Sequence, residues 1–197
     1  MSRWSIPGAA YAAFAVAALA FSEAAAQDKP DARQISDAVS PLPEPLRAGA
    51  AVLGFHGEAL VELRAGANGM ICLADAPGRK GFHAACYHRS LEPFMARGRA
   101  LRTEGLSAEA TDSVRLAELE SGRLPLPDAG ASLYSLFHDD DAFDPAAGVT
   151  EGLTGLYVIY LPYATEASTG VSAIPSRERP WLMYAGKPTA HVMLPRR

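Results

Sequence analysis

Two cysteines and five histidines carry most of the reactive chemistry in this 197-residue sequence. Cys72 and Cys86 are its only cysteines, and an even count suits a disulfide in an oxidising compartment. Cys86 also belongs to His83-x-x-Cys86-x-His88, which sets two imidazoles and a thiolate within a short run, a donor set that zinc and copper both accept. The two readings compete, because a bridged sulfur cannot serve as a thiolate ligand. His191 and Met193 stand two apart in a β-prone run, so they share a face, and Met183 falls in the run before it. Imidazole with thioether suits copper(I), whereas methionine more commonly fills gaps in a core. His88 and His191 are also the best acid or base candidates for a hydrolase-type enzyme, since imidazole titrates near neutrality.

Other groupings carry less. Asp139, Asp140, Asp141 and Asp144 follow His138, but Phe143 occupies a ligand position and the glycine of a calcium loop is missing, so a solvated acidic loop is expected. Arg89, Arg97, Arg99 and Arg102 decorate one helix, either as an anion seat or as its ordinary outer face. Ser168-Thr169-Gly170 can be drawn into a triad with His191 and Asp75, yet no G-x-S-x-G elbow occurs and nothing in the spacing requires it. Phosphate-loop and dinucleotide glycine patterns are absent, and no motif requires a cofactor.

The elements that must position these groups follow from periodicity. Residues 27–48 are polar and broken by Pro30, Pro41, Pro43 and Pro45, so they read as a lead-in with one short helix over 32–39. Residues 51–55 and 59–64 form a hairpin, and 70–73 a third strand after the Asn68-Gly69 turn. Ser90 caps a helix over 90–104, and Ser107 starts a second that stops at Gly122. Strands are expected at 133–137, at 156–161, where the run is strongest and suits the sheet centre, and at 181–184 and 191–194 with Gly186-Lys187-Pro188 turning between them. Strands, two consecutive helices and strands again predict a single α+β domain over 49–197 with a mostly antiparallel sheet.

Residues 1–26 read as a secretory signal. Arg3 precedes an uncharged run from Ile6 to Ser22, and Ala24-Ala25-Ala26 places small residues before Gln27. Cleavage after Ala26 is expected, and the run stops short of the roughly 20 apolar residues that span a bilayer. Removing Arg3 and Glu23 leaves the net charge at -4, which argues against nucleic acid. No second long apolar run follows, so no membrane span is expected in the mature chain. The predicted address is the periplasm or the medium, with a protein or small-molecule partner open.

Three segments together resemble a group of uncharacterised exported bacterial proteins: Gly66-x-Asn68-Gly69-x-x-Cys72, then Cys86-Tyr87-His88, then Pro180-Trp181-x-Met183-x-x-Gly186-x-Pro188-x-Ala190-His191-x-Met193. The resemblance covers about a third of the mature chain and brings no activity with it. It implies that Asn68, Gly69, Cys72, Cys86, Trp181, Gly186 and His191 are ligand or structural positions. The leading expectation is a binding or interaction module of the bacterial envelope. A periplasmic hydrolase using His88 or His191 is an alternative, as is a copper or zinc carrier using His83, His88, His191 and Met193.

Overall fold

The computed structural model describes residues 29–148 and 151–196; the signal at 1–26 lies outside the described residues. Helices α1 (Asp31–Ala38) and α2 (Glu44–Arg47) precede strands β1 (Ala51–His56), β2 (Ala59–Arg64), β3 (Met70–Leu73) and β4 (Phe82–His88). Helices α3 (Glu92–Thr103) and α4 (Ala108–Glu120) follow, then β5 (Ser132–His138), β6 (Thr154–Tyr160), α5 (Glu166–Thr169), β7 (Trp181–Met183) and β8 (His191–Arg196). All the strands join one sheet in the order β2-β1-β3-β4-β5-β6-β8-β7, antiparallel except where β1 meets β3. The α+β class and the largely antiparallel sheet are as expected. The strong 156–161 run lies inside the sheet, between β5 and β8.

Strand β4 is the largest departure from the sequence reading, which assigned no strand there. Its residues Phe-His-Ala-Ala-Cys-Tyr-His lack a polar face because both faces are covered. Phe82, Ala84 and Cys86 are buried on one side, and Tyr87 is buried on the other. A strand buried on both sides does not alternate visibly. Its pairing with β3 sets Cys72 opposite Cys86, and the two are joined in a disulfide.

The segment expected as a polar lead-in packs onto the sheet. Ala38, Val39 and Leu42 of this stretch join Val52, Met70, Cys72 and Cys86 in one buried cluster. On α1, Gln34 is only 4% exposed. Its amide accepts the Phe55 N–H at 2.8 Å and donates to the Phe55 carbonyl at 2.8 Å and the Lys29 carbonyl at 2.9 Å. The β1–β3 ladder ends at Leu53–Leu73, so Gln34 continues the pairing where β3 has turned away.

The Asn68-Gly69 turn forms as predicted, with Gly69 at φ 78°. The Asn68 amide donates to the Leu46 carbonyl at 2.7 Å, and its oxygen accepts the Met70 N–H at 3.1 Å. The side chain therefore ties the strand entrance to α2, a structural use that the resemblance left open.

His83 lies at the start of β4, stacked on Phe137 with ring centroids 4.5 Å apart. Burial, reinforced by the nearby Arg79 charge, pushes its pKa down to about 4. A folded pKa below the unfolded value means that the native state holds fewer protons. The stability this contributes is therefore present above pH 6.5 and lost as pH falls toward 4. Urea midpoints of the wild type should drop across that window relative to His83→Phe, by a difference of roughly 2 kcal/mol. Parallel pH profiles for the two proteins would rule this out.

Candidate functional site

Helices α3 and α4 cover the sheet face that carries Tyr87, Val158 and Tyr160, against which Leu91 of the turn before α3 packs, with Phe94 edge-on to Tyr160 at 6.4 Å. Cross-strand partners share a face. Tyr160, His191 and Met183 are thus one row of that face, and Val158, Met193 and Trp181 are the next. A cavity of about 380 Å³ opens where α4 meets the first row. Phe94, Arg115, Leu116, Tyr160, Tyr184 and His191 are among its lining residues.

His191 is 8% exposed and Tyr160 is 6% exposed. The His191 Nδ1–H donates to the Thr189 carbonyl at 2.7 Å, so in the neutral ring that burial favours the lone pair is on Nε2. Burial holds its pKa below the ordinary histidine value, partly offset by that backbone bond. Burial likewise pushes the Tyr160 hydroxyl up to about 12, so it stays protonated. Neither His191 Nε2 nor the Tyr160 hydroxyl has a hydrogen-bond partner among the described residues, and neither is sealed from solvent. The two atoms are reachable from the cavity and hold hydrogen-bonding capacity that the described protein groups do not use.

The surrounding walls are built with some cost. Tyr184 takes φ 56°, a left-handed conformation that is an outlier for a bulky residue. This backbone brings its ring edge-on to His191 at 5.7 Å, while Tyr160 flanks the other side at 4.9 Å. After Tyr184 the chain turns at Gly186, φ 74°, whose N–H donates to the Ala164 carbonyl at 2.7 Å. Lys187 then reaches the cavity rim without a carboxylate partner among the described residues.

From the helix side, Arg115 lies over the Phe94 ring at 3.9 Å, donates to the Phe94 carbonyl at 3.4 Å and pairs with Asp112. Its Nε is sealed from solvent without a hydrogen-bond partner among the described residues. Gly98 makes this possible, since a Cβ there would sit 2.7 Å from Arg115 Nη1.

The remaining sequence candidates go elsewhere. His88 lies on the opposite face from His83, as the odd spacing in one strand requires. Its Nδ1 accepts the Ser90 N–H at 3.3 Å, capping the turn that leads into α3. With Cys86 bridged, the His83-x-x-Cys86-x-His88 run does not present a thiolate, and no group of three His, Cys, Asp or Glu able to hold a metal occurs among the described residues. Met193 shares the face of His191. Arg97 makes a bidentate pair with Glu118 of α4, and Arg99 bonds Tyr87 at 2.9 Å and Glu92 at 2.6 Å. The Asp loop bonds its own backbone and Arg33. Ser168 is spent in a capping box with Thr165.

Of the three resembling segments, the first two meet at β3 and β4, while the third lies three strands away from β4 and supplies Met183, Tyr184, Lys187, Thr189 and His191 to the cavity. Trp181 lines a separate apolar cleft with Leu156, Pro175 and Pro195. Tyr160, Tyr184, Arg115, Asp112 and Lys187 were missed from the sequence, because only the β6–β8 pairing and the α3–α4 crossing gather them. The one local signal was the third segment itself.

No protein-family model, curated protein or solved structure matches the chain. Fold and site define a single-sheet α+β protein with a bridged strand pair and a cavity whose wall carries unpaired polar groups. Among the described residues, no helix is long and apolar enough to cross a membrane.

Proposed function

We propose that the protein is an exported binding module of the bacterial envelope that takes a small molecule in the cavity of His191 and Tyr160. The observation that carries this reading is that His191 and Tyr160, each more than nine-tenths buried, line one cavity while His191 Nε2 and the Tyr160 hydroxyl have no partner among the described residues. Export rests on the signal-like residues 1–26 and is supported by the disulfide. Binding is favoured over hydrolysis because the lining around those atoms is largely apolar and aromatic, as ligand cavities are. Its one serine, Ser113, donates to the Glu109 carbonyl at 2.9 Å rather than to His191.

A binding site kept at the expense of stability has a distinct signature. His191→Phe and Tyr160→Phe each remove, from a buried side chain, a polar atom that has no partner among the described residues. Both variants should match the wild type or exceed it by up to about 1 kcal/mol. A fragment screen read by ring resonances of His191 and Tyr160 should find binders to the wild type that His191→Phe loses. The reading fails if fragments bind both proteins equally, if none binds, or if either variant loses more than about 1 kcal/mol.

A further inference from the structure

The lining of this cavity restricts what can occupy it, an argument that rests on the binding reading above. With the buried His191 ring neutral and its one proton on Nδ1, donated to the Thr189 carbonyl, Nε2 can only accept a hydrogen bond. An occupant must bring a donor to it. The Tyr160 hydroxyl, kept protonated by burial, can donate, and Arg115 and Asp112 line the same cavity. An occupant should therefore bring an acceptor as well.

Charge narrows the choice further. Arg115 is matched by Asp112, whereas Lys187 has no carboxylate partner among the described residues, so the lining carries one uncompensated positive charge. A monoanion balances it. An ammonium as the donor would bring another cation beside Arg115 and Lys187, so a hydroxyl suits His191 better. Phe94, Leu116, Met183 and the Tyr184 ring supply an apolar and aromatic remainder. The volume of about 380 Å³ is near the lower end for ligand cavities, which limits the occupant to a single-ring size.

We propose that the cavity binds a small aromatic hydroxycarboxylate, its hydroxyl donating to His191 Nε2 and its carboxylate held by Lys187 and the Tyr160 hydroxyl. The three requirements come from different residues, so each can be removed separately. Site geometry of this kind rejects an analogue that lacks the matching polar group, because a buried protein atom is then left unpaired.

The test is calorimetric titration of the whole mature protein with 4-hydroxybenzoate, benzoate and 4-hydroxybenzyl alcohol, with His191 and Tyr160 resonances locating each probe. 4-Hydroxybenzoate is expected to bind at least about tenfold more tightly than either analogue. His191→Phe should erase its advantage over benzoate, and Lys187→Met its advantage over the alcohol. Benzoate binding as well as 4-hydroxybenzoate overturns the hydroxyl assignment, and the alcohol binding as well as the acid overturns the anion assignment. Should all three probes leave His191 and Tyr160 unmoved while the fragment screen yields binders there, the ligand class is wrong and the cavity reading stands. An empty screen would take both down together.

Discussion

Replacing Gln34 by leucine is expected to cost roughly 3 kcal/mol, although the substitution puts an apolar side chain into a position 4% exposed. The loss comes from the backbone that Gln34 satisfies. The N–H and carbonyl of Phe55 both pair with its side-chain amide at 2.8 Å, at the point where β3 no longer runs beside β1. A leucine is similar in size and cannot bond either group, and a buried group left unpaired costs about 1–3 kcal/mol. Gly54 belongs to the same device. A Cβ there would come within 2.7 Å of Gln34 Oε1 and collide with Leu63, so Gly54→Ala should also weaken the protein. The two changes share one interaction and should therefore be non-additive, the double variant losing less than the sum. Urea unfolding of the two single variants and the double variant measures this. A Gln34→Leu loss below about 1 kcal/mol would show that water from the cleft lined by Lys29, Gln34, Phe55 and Asp75 replaces the amide.

Removing the disulfide is expected to cost about 3 kcal/mol. Cys72 and Cys86 are separated by 14 positions and both are fully buried, directly opposite in the β3–β4 pair with Cα atoms 4.0 Å apart. In the chain-entropy account, the bridge acts mainly by restricting the unfolded chain. The Ala38 carbonyl oxygen lies 3.1 Å from Cys86 Sγ. A bridged sulfur has no proton to donate, so this is packing between α1 and the bridge. Cys72→Ala with Cys86→Ala should therefore shift the urea midpoint downward and also loosen α1, seen as faster amide exchange over residues 31–38. An unchanged midpoint would sink the stabilising role. Thiol labelling of the unfolded, unreduced protein should modify neither cysteine.

Much of the scaffold was legible from periodicity and caps. The two helices around Gly105, the β1–β2 hairpin and the Asn68-Gly69 turn all have local causes, since a cap, a turn residue or an alternating run acts within a few positions. Ser107 accepts the Ala110 N–H as an N-cap should. Strand β4 escaped because its alternation is erased by cover on both faces. The packing of α1 escaped for a related reason. Gln34 and Asp37 look like surface residues by type, yet they are buried, Gln34 because its amide is fully paired with backbone and Asp37 held by Arg33 through Oδ2.

The cysteines and histidines with which the sequence reading began were sorted differently by sequence and by structure. Sequence alone determined that an even cysteine count beside a signal-like amino end favours a bridge, and that His191 stands within a distinctive segment. Both follow from composition and spacing along the chain. Only the tertiary structure decided that His83 and His88 face apart and that His88 serves as a cap. It alone set His191 between Tyr160 and Tyr184 in a cavity that Arg115 also lines. Those facts depend on which strands pair, in what register, and which helix crosses above them. Pairing joins residues far apart in sequence, so no local pattern records it.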